Sequence, residues 1–357
     1  MVTLRDIAKA TGVSVGTVSK VISRSSEIGR INPRTIRRIR QLASELGYRP
    51  NVNARALVNR RSMTLGVYVA PHPGGRIDSL YVSPIIEGIC ESARQAAYDV
   101  MLIDFGHLDE GLDASREKFL SKRVDGVIII YYQGNNEVVE GLAEQGVPLV
   151  AVDSYQSLPI STVNLDNAAG VEMVVQYLYS LGHRRMVFPC ELSDQKMPDH
   201  ELRREAFVRV AQRLGIADEC VVVDRELAGR EVPRIGPFCQ EDGYWAMDRL
   251  VGGEREFTAV VCYNDVVAMG VLRRLREAGW SVPGHISVVG FDNTFLSEYL
   301  SPSLTSVSHP VREMGHQSVQ MLLETIEANG SKAPAVKAVT LKPELVVRES
   351  TGRIADC

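Results

Sequence analysis

The pattern of apolar and polar positions divides the chain into three stretches. At the start, Leu4, Ile7 and Ala8 recur at i, i+3, i+4, the spacing of one helix face. Gly12 stands where that helix needs a left-handed C-terminal residue. Ser14 is placed to N-cap a second helix, Val15 to Ile22, whose inward stripe is Val18, Val21 and Ile22. A third helix is predicted over PRTIRRIRQLASELGY, with Pro33 in its first turn and Gly47 as its stop. Its apolar stripe is Ile36, Ile39, Leu42, Ala43 and Leu46. Residues 1–48 therefore read as an all-α headpiece built around a helix-turn-helix.

Residues 49–61, RPNVNARALVNRR, form a linker. Pro50 breaks the preceding helix, and 53–59 leave room for about two helical turns, too short to be stable alone in water. From residue 64 the pattern changes. Apolar runs TLGVYVA, VMLIDF, GVIIIYY, PLVAVD, RRMVFPC, CVVVD, AVVCYN and ISVVGFD alternate with helical segments. Continuous β-branched runs between amphipathic helices predict parallel sheets covered on both faces. There are too many strands for one compact sheet, so residues 62–357 are expected to hold two doubly wound α/β subdomains. The first is expected at about 62–162 and 292–325, the second at about 163–291 and 326–350. Ligands of such sheets bind at the carboxyl ends of strands. That rule directs attention to Tyr131, Asp153, Asn264 and Asp292.

Charge sharpens the reading of the head. Residues 1–61 hold thirteen Lys and Arg against three acids, a net +10. The whole chain is −4, so the remainder carries about −14. A basic head is drawn to a polyanion. The outward face of the second helix, Val15, Gly16, Thr17, Ser19 and Lys20, is small or hydrogen-bonding, which suits a DNA major groove. The six cysteines are scattered with no CxxC, and HExxH is absent. Neither a zinc site nor a disulfide framework is expected, and no cofactor is called for. The N-terminal segment has no apolar h-region, and no run of eighteen apolar residues occurs, so a cytoplasmic location without a membrane span is expected.

Taken together, these residues resemble the LacI/GalR family of bacterial transcription regulators. TLRDIAKATGVSVGTVSKVI resembles the family's headpiece and GYRPNVNARAL its hinge. LGHRRMVF, YNDVVAMGVLRRLREAG, ISVVGFDN and LVVREST resemble signatures of its core. The resemblance covers essentially the whole chain. It implies a periplasmic-binding-protein-like core, a homodimer, a pseudo-palindromic double-stranded operator and a small effector. Val15, Gly16 and Lys20 fall where the family reads base edges. Thr3, Ser14, Thr17 and Ser19 fall where it contacts phosphates. Leu57 falls where a hinge leucine wedges into the minor groove, with Asn53, Ala54 and Arg55 beside it; such a wedge unstacks one base step and bends the duplex. The turn after the second helix is longer than usual by about three residues, and Ser23 replaces the usual Asn. Gly16 removes one reading side chain, which shifts weight to Val15, Lys20 and DNA shape.

For the effector, Tyr81 and Val82 fall where the family roofs its pocket, and Asp153 at a position that commonly faces the ligand. Arg203 matches the Arg of an R-x-x-G-F pattern in which Ala206 replaces Gly. Tyr244 falls near an aromatic that stacks on the ligand. Asn264 also suits a helix cap. Carboxylates, an Arg fork and rings together suit a carbohydrate. Other readings are a purine or phosphosugar corepressor on the same fold, a solute-binding protein, and an enzyme. The basic head argues against the second. The third lacks any glycine-rich phosphate loop, nucleophile elbow or metal set.

Overall fold

The computed structural model describes residues 2–22, 26–49, 61–70, 77, 79–103, 123–131, 136–155, 159–189, 198–223, 240–253, 256–328 and 335–354. The linker residues Asn53, Ala54, Arg55 and Leu57, and Ser23 in the long turn, lie outside them. The chain divides into two compact units, Met1–Ser62 and Met63–Cys357.

The first unit is built on α1 (Leu4–Thr11), α2 (Val15–Ile22) and α3 (Pro33–Glu45). Thr3 and Asp6 form a capping box at the start of α1, and Gly12 ends that helix at φ 70°. Ser14 Oγ accepts the Thr17 N–H at 3.1 Å and so caps α2. Ile7, Ala8, Val18, Val21, Ile39 and Ala43 close a small core, with Ile36 and Leu42 packed against it. Leu46, expected in that stripe, is 41% exposed. It is the C-cap residue of α3, just past the helix that carries the stripe.

The second unit contains two sheets. The first holds β1 (Thr64–Val69), β2 (Asp99–Leu102), β3 (Gly126–Ile130), β4 (Leu149–Val152), β5 (Ser161–Leu165) and β11 (Ala338–Leu341), in the order β11-β5-β4-β3-β1-β2. The second holds β6 (Met186–Pro189), β7 (Val221–Val223), β8 (Ala259–Val261), β9 (Ser287–Asp292), β10 (Thr305–Ser308) and β12 (Glu344–Val346), in the order β12-β10-β9-β8-β6-β7. All pairings are parallel except β10 with β12. The helices are α4 (Val82–Gln95), α5 (Asn136–Glu144), α6 (Asn167–Ser180), α7 (Pro198–Arg213), α8 (Gln240–Val251), α9 (Asp265–Glu277) and α10 (Val311–Ala328). Alternate residues of β3 enter two separate cores, Ile128 and Ile130 on one face and Val127 and Ile129 on the other. Each such side chain contributes about 1.5–3 kcal/mol by leaving water. No helix among the described residues is long and apolar enough to cross a membrane.

The expected subdomain boundaries shift in three places. Strand β5 pairs with β4, so the first crossing between sheets follows Leu165 rather than 162. Strands β9 and β10 both belong to the second sheet, so the return comes after Ser308 rather than at 292. Strand β11 then pairs with β5 before β12 pairs with β10. These strands are rich in Ser, Thr, Asn and charge, so their apolar signal is weak.

Behind Asp292 lies a buried anchor. The Asp265 carboxylate accepts from the Thr294 N–H at 2.6 Å, from Ser297 Oγ at 2.6 Å and from Ser306 Oγ at 2.5 Å. It fixes the backbone just after β9. Gly290 makes room for it, since a Cβ there would collide with Asp265 Oδ1 and with Leu304. Gly290→Ala is therefore expected to cost about 1–3 kcal/mol, read as a lower urea midpoint. An unchanged midpoint would contradict the close approach.

Candidate functional site

The head presents one surface of interest. On α2, Val15 is 41% exposed and Gly16 and Lys20 are also exposed. Thr17 and Ser19 are half-buried. Ser14 is exposed and shares its hydroxyl with Thr17 at 2.9 Å. Thr3 is exposed as well, and its hydroxyl donates to Asp6 at 2.8 Å. The buried residues of α2 face the core and leave this side open. Arg34, Arg37, Arg38 and Arg40 are exposed on α3 and add positive charge to the same unit.

In the second unit, side chains from both sheets meet at the carboxyl ends of their strands. Tyr131 follows β3, Asp153 follows β4, Asp292 ends β9 and His309 follows β10. Tyr131, Asp153 and Asp292 hold φ of 59°, 55° and 99°. A non-glycine residue in that region costs of the order of 1 kcal/mol or more, and such residues gather at functional sites.

A continuous polar chain runs across the junction. The Tyr155 hydroxyl donates to Asp153 Oδ1 at 2.7 Å and accepts from Asn167 Nδ2 at 2.6 Å. Asn167 Oδ1 accepts from Arg203 Nε at 2.7 Å. Arg203 Nη1 donates to the Tyr263 carbonyl. Its guanidinium lies 4.0 Å from the Phe291 ring centre, 3.9 Å from Asp199 Oδ2 and 3.6 Å from Asp292 Oδ1. His309 Nε2 is 3.7 Å from the same Asp292 oxygen. The last three distances are too long for hydrogen bonds, and the two from Arg203 are those of ion pairs. The Tyr81 ring stacks on Tyr131 at 5.7 Å and meets His309 edge-on at 6.3 Å.

Burial governs the charges here. It pushes Asp153 up to about 6, helped by Asp199 and opposed by the Tyr155 hydroxyl. Burial likewise raises Asp292 well above the ordinary carboxylate range, against the pull of Arg203. Burial and then Arg203 lower the His309 imidazole well below its usual value. For Arg203 burial opposes the charge, but Asp292 and Asp199 outweigh it and raise its pKa. Asp153 Oδ2, Asp292 Oδ1 and both ring nitrogens of His309 are buried without a hydrogen-bond partner.

Tyr81, Tyr131, Asp153, Arg203 and Asp292 are thus brought together. Val82 is fully buried with Ile85 and Ile130 and serves packing. Asn264 Oδ1 is committed to the Val267 N–H at 2.8 Å and caps α9. Tyr244 is not in the group. Its hydroxyl donates to Glu277 at 2.7 Å, at the far end of α9 from Asn264. The aromatic ring on Arg203 is instead Phe291, and the Tyr263 ring lies 4.1 Å from that of His200. Asp199, Tyr155, Asn167 and His309 were not expected. Of these, His309 follows a strand just as Asp153 does, and Asp199 shares a helix face with Arg203 at i, i+4.

Residues 3–51 match the bacterial regulatory proteins, lacI family. Residues 175–351 match the periplasmic binding protein-like domain. The regulator DegA of Bacillus subtilis (strain 168) is 29% identical over 98% of both chains. A crystal structure of the lac repressor dimer bound to operator and the anti-inducer ONPF is 26% identical, with TM-score 0.77, covering 98% of this chain and 99% of that one. The chain belongs to the lacI family. A transcriptional regulator CelR–cellobiose complex is 25% identical, with TM-score 0.68, over 98% of this chain and 100% of that one. This LacI-family protein therefore joins a helix-turn-helix head to two parallel-sheet α/β subdomains, and its homologues are transcriptional regulators.

A raised carboxyl pKa sets the sign of a pH effect. Asp153 is more protonated in the folded chain than in the unfolded one between about pH 4 and 6. Its contribution is fully present below the unfolded value and is lost as pH rises through about 6. Asp153→Asn should therefore melt above the parent at pH 7.5, by about 1–3 kcal/mol or a few degrees. The gain should vanish near pH 4. A gain independent of pH would contradict the assignment.

Proposed function

We propose that this LacI-family regulator represses transcription as a cytoplasmic homodimer on a pseudo-palindromic double-stranded operator. A small polyhydroxylated effector, most simply a sugar, controls its operator affinity from the junction around Asp153, Arg203 and Asp292. Effector binding changes how the two sheets meet, and that change reaches the head through the linker. A coupling of about 1–3 kcal/mol is enough to change operator occupancy several-fold or more.

The observation that carries the DNA reading is the open face of α2. Val15, Gly16 and Lys20 stand clear of the head's core beside the Ser14 and Thr17 hydroxyls. Thr3 and Ser19 stand at the margin for phosphates, and the linker residues Asn53, Ala54, Arg55 and Leu57 are assigned to the minor groove. The lac repressor, similar over 98% of this chain, is a dimer on operator. Phe295 and Tyr299, 68% and 79% exposed beside β9, offer an apolar surface for a second copy.

The effector reading rests on the buried acceptors Asp153 Oδ2 and Asp292 Oδ1, which a ligand hydroxyl would satisfy. The CelR structure, with cellobiose, supports a carbohydrate. A purine or phosphosugar corepressor would use the same junction.

The test is DNA binding by fluorescence anisotropy, on a duplex selected by the protein itself from random sequence. Lys20→Ala is expected to lose about 5- to 100-fold on that duplex, the worth of one good base contact. On random DNA it should lose only the share of one phosphate charge. Equal loss on both duplexes would reject base reading by α2.

A further inference from the structure

The junction's hydrogen-bonding capacity is lopsided. We infer that its ligand is donor-rich and carries no anionic group: an uncharged polyol or its amino counterpart, not a phosphorylated or carboxylated one. The inference rests on the reading of this junction as the effector site.

Three observations carry it. The first is the state of Arg203. A phosphate or carboxylate is gripped by two neighbouring N–H groups along one edge of a guanidinium. Here Nε is given to Asn167 Oδ1 and Nη1 to the Tyr263 carbonyl. Three N–H groups remain, one on Nη1 and two on Nη2, and Nη2 already faces Asp199 at 3.9 Å. Its plane is also covered by the Phe291 ring. An anion there would compete with buried bonds that bridge α6, α7 and the end of β8.

The second is the charge balance. Asp153, Asp199 and Asp292 are all buried around this one guanidinium. Among the described residues no other Lys or Arg is buried. His200 Nε2 also lies 3.6 Å from Asp199 Oδ2, yet among the described residues the acidic side chains here outnumber the basic ones, and an incoming phosphate meets repulsion in a medium that screens poorly.

The third is the kind of atom left over. Asp153 Oδ2 is an acceptor, and Asp292 Oδ1 is one whenever its carboxyl is ionised. Neutral His309 adds one N–H and one further acceptor, both without a partner. Neighbouring hydroxyls can donate to the carboxylates and accept from His309, whereas a phosphate brings only more acceptors. The Tyr81–Tyr131 stack adds an apolar wall for the C–H face of a sugar ring.

The experiment uses the full-length protein and isothermal titration calorimetry, screened first by thermal shift. The probes are common hexoses, pentoses and disaccharides, including cellobiose, each beside its phosphorylated, uronic and 2-amino counterpart, with adenine and hypoxanthine as further arms. A neutral or amino member is expected to bind, with its phosphorylated and uronic counterparts at least 30-fold weaker. Asp199→Asn, which lowers the negative charge beside Arg203, should narrow that gap at least threefold. An unchanged gap in Asp199→Asn would overturn the charge argument. A phosphorylated or uronic member binding as tightly as its parent would overturn the inference and leave the effector site standing. A purine as the tightest ligand would overturn the polyol. No binding by any probe would overturn the reading of the junction as an effector site, and this inference with it.

Discussion

A guanidinium taken out of water must be compensated on every side, and the core of this protein is arranged around that requirement. Arg203 is only 3% exposed. Asn167 holds it from the start of α6, the Tyr263 carbonyl from the end of β8, and Asp292 from the end of β9. Through Asn167 and Tyr155 the same chain reaches Asp153 on the other sheet. Removing one partner of such a buried group is costly because the other is left bare. The two sheets are thereby joined by a polar chain whose components have few alternative partners.

That chain lies where the backbone passes between sheets. Asn167 opens the helix after the first crossing, and His309 sits on the second. The strained φ at Tyr131, Asp153 and Asp292 belongs to the same design, for it turns each strand end inward at a backbone cost. Asp265 supplies part of the compensation by clamping the turn that follows Asp292 with three hydrogen bonds. The head is governed by simpler means: short capped helices, six buried apolar residues and an outward face left small.

How much of this was legible in the sequence follows from what each residue contacts. The runs at 64–69, 126–130, 149–152 and 287–292 are apolar because both faces of those strands are covered. They announce themselves. The segments STVNL, TSVS, AVTL and ELV do not, and they mark the crossings and one edge of each sheet, so the subdomain boundaries slipped. Tyr131, Asp153 and Asp292 follow from the strand-end rule. Asn264 follows from it too, yet its oxygen is spent on a helix cap. Tyr244 is not legible because PRIGPFCQEDGYW offers no fixed register; its hydroxyl goes to Glu277, and that of Tyr263 donates to Asp242 in a part-buried bond. Asp199 and Asn167 look like ordinary first-turn residues of helices. Their role exists only once Arg203 is buried between them.

The central claim is that this junction buries carboxylates that outnumber their donors. It is tested most directly by carbon-13 NMR titration of the apo protein labelled at the aspartate carboxyls, assigned with Asp153→Asn and Asp292→Asn. The account predicts that the Asp153 signal titrates near 6 and that of Asp292 well above the usual carboxylate range. If both lose their protons at ordinary carboxylate values, near 4, the junction is open to water or fully compensated, and the account fails.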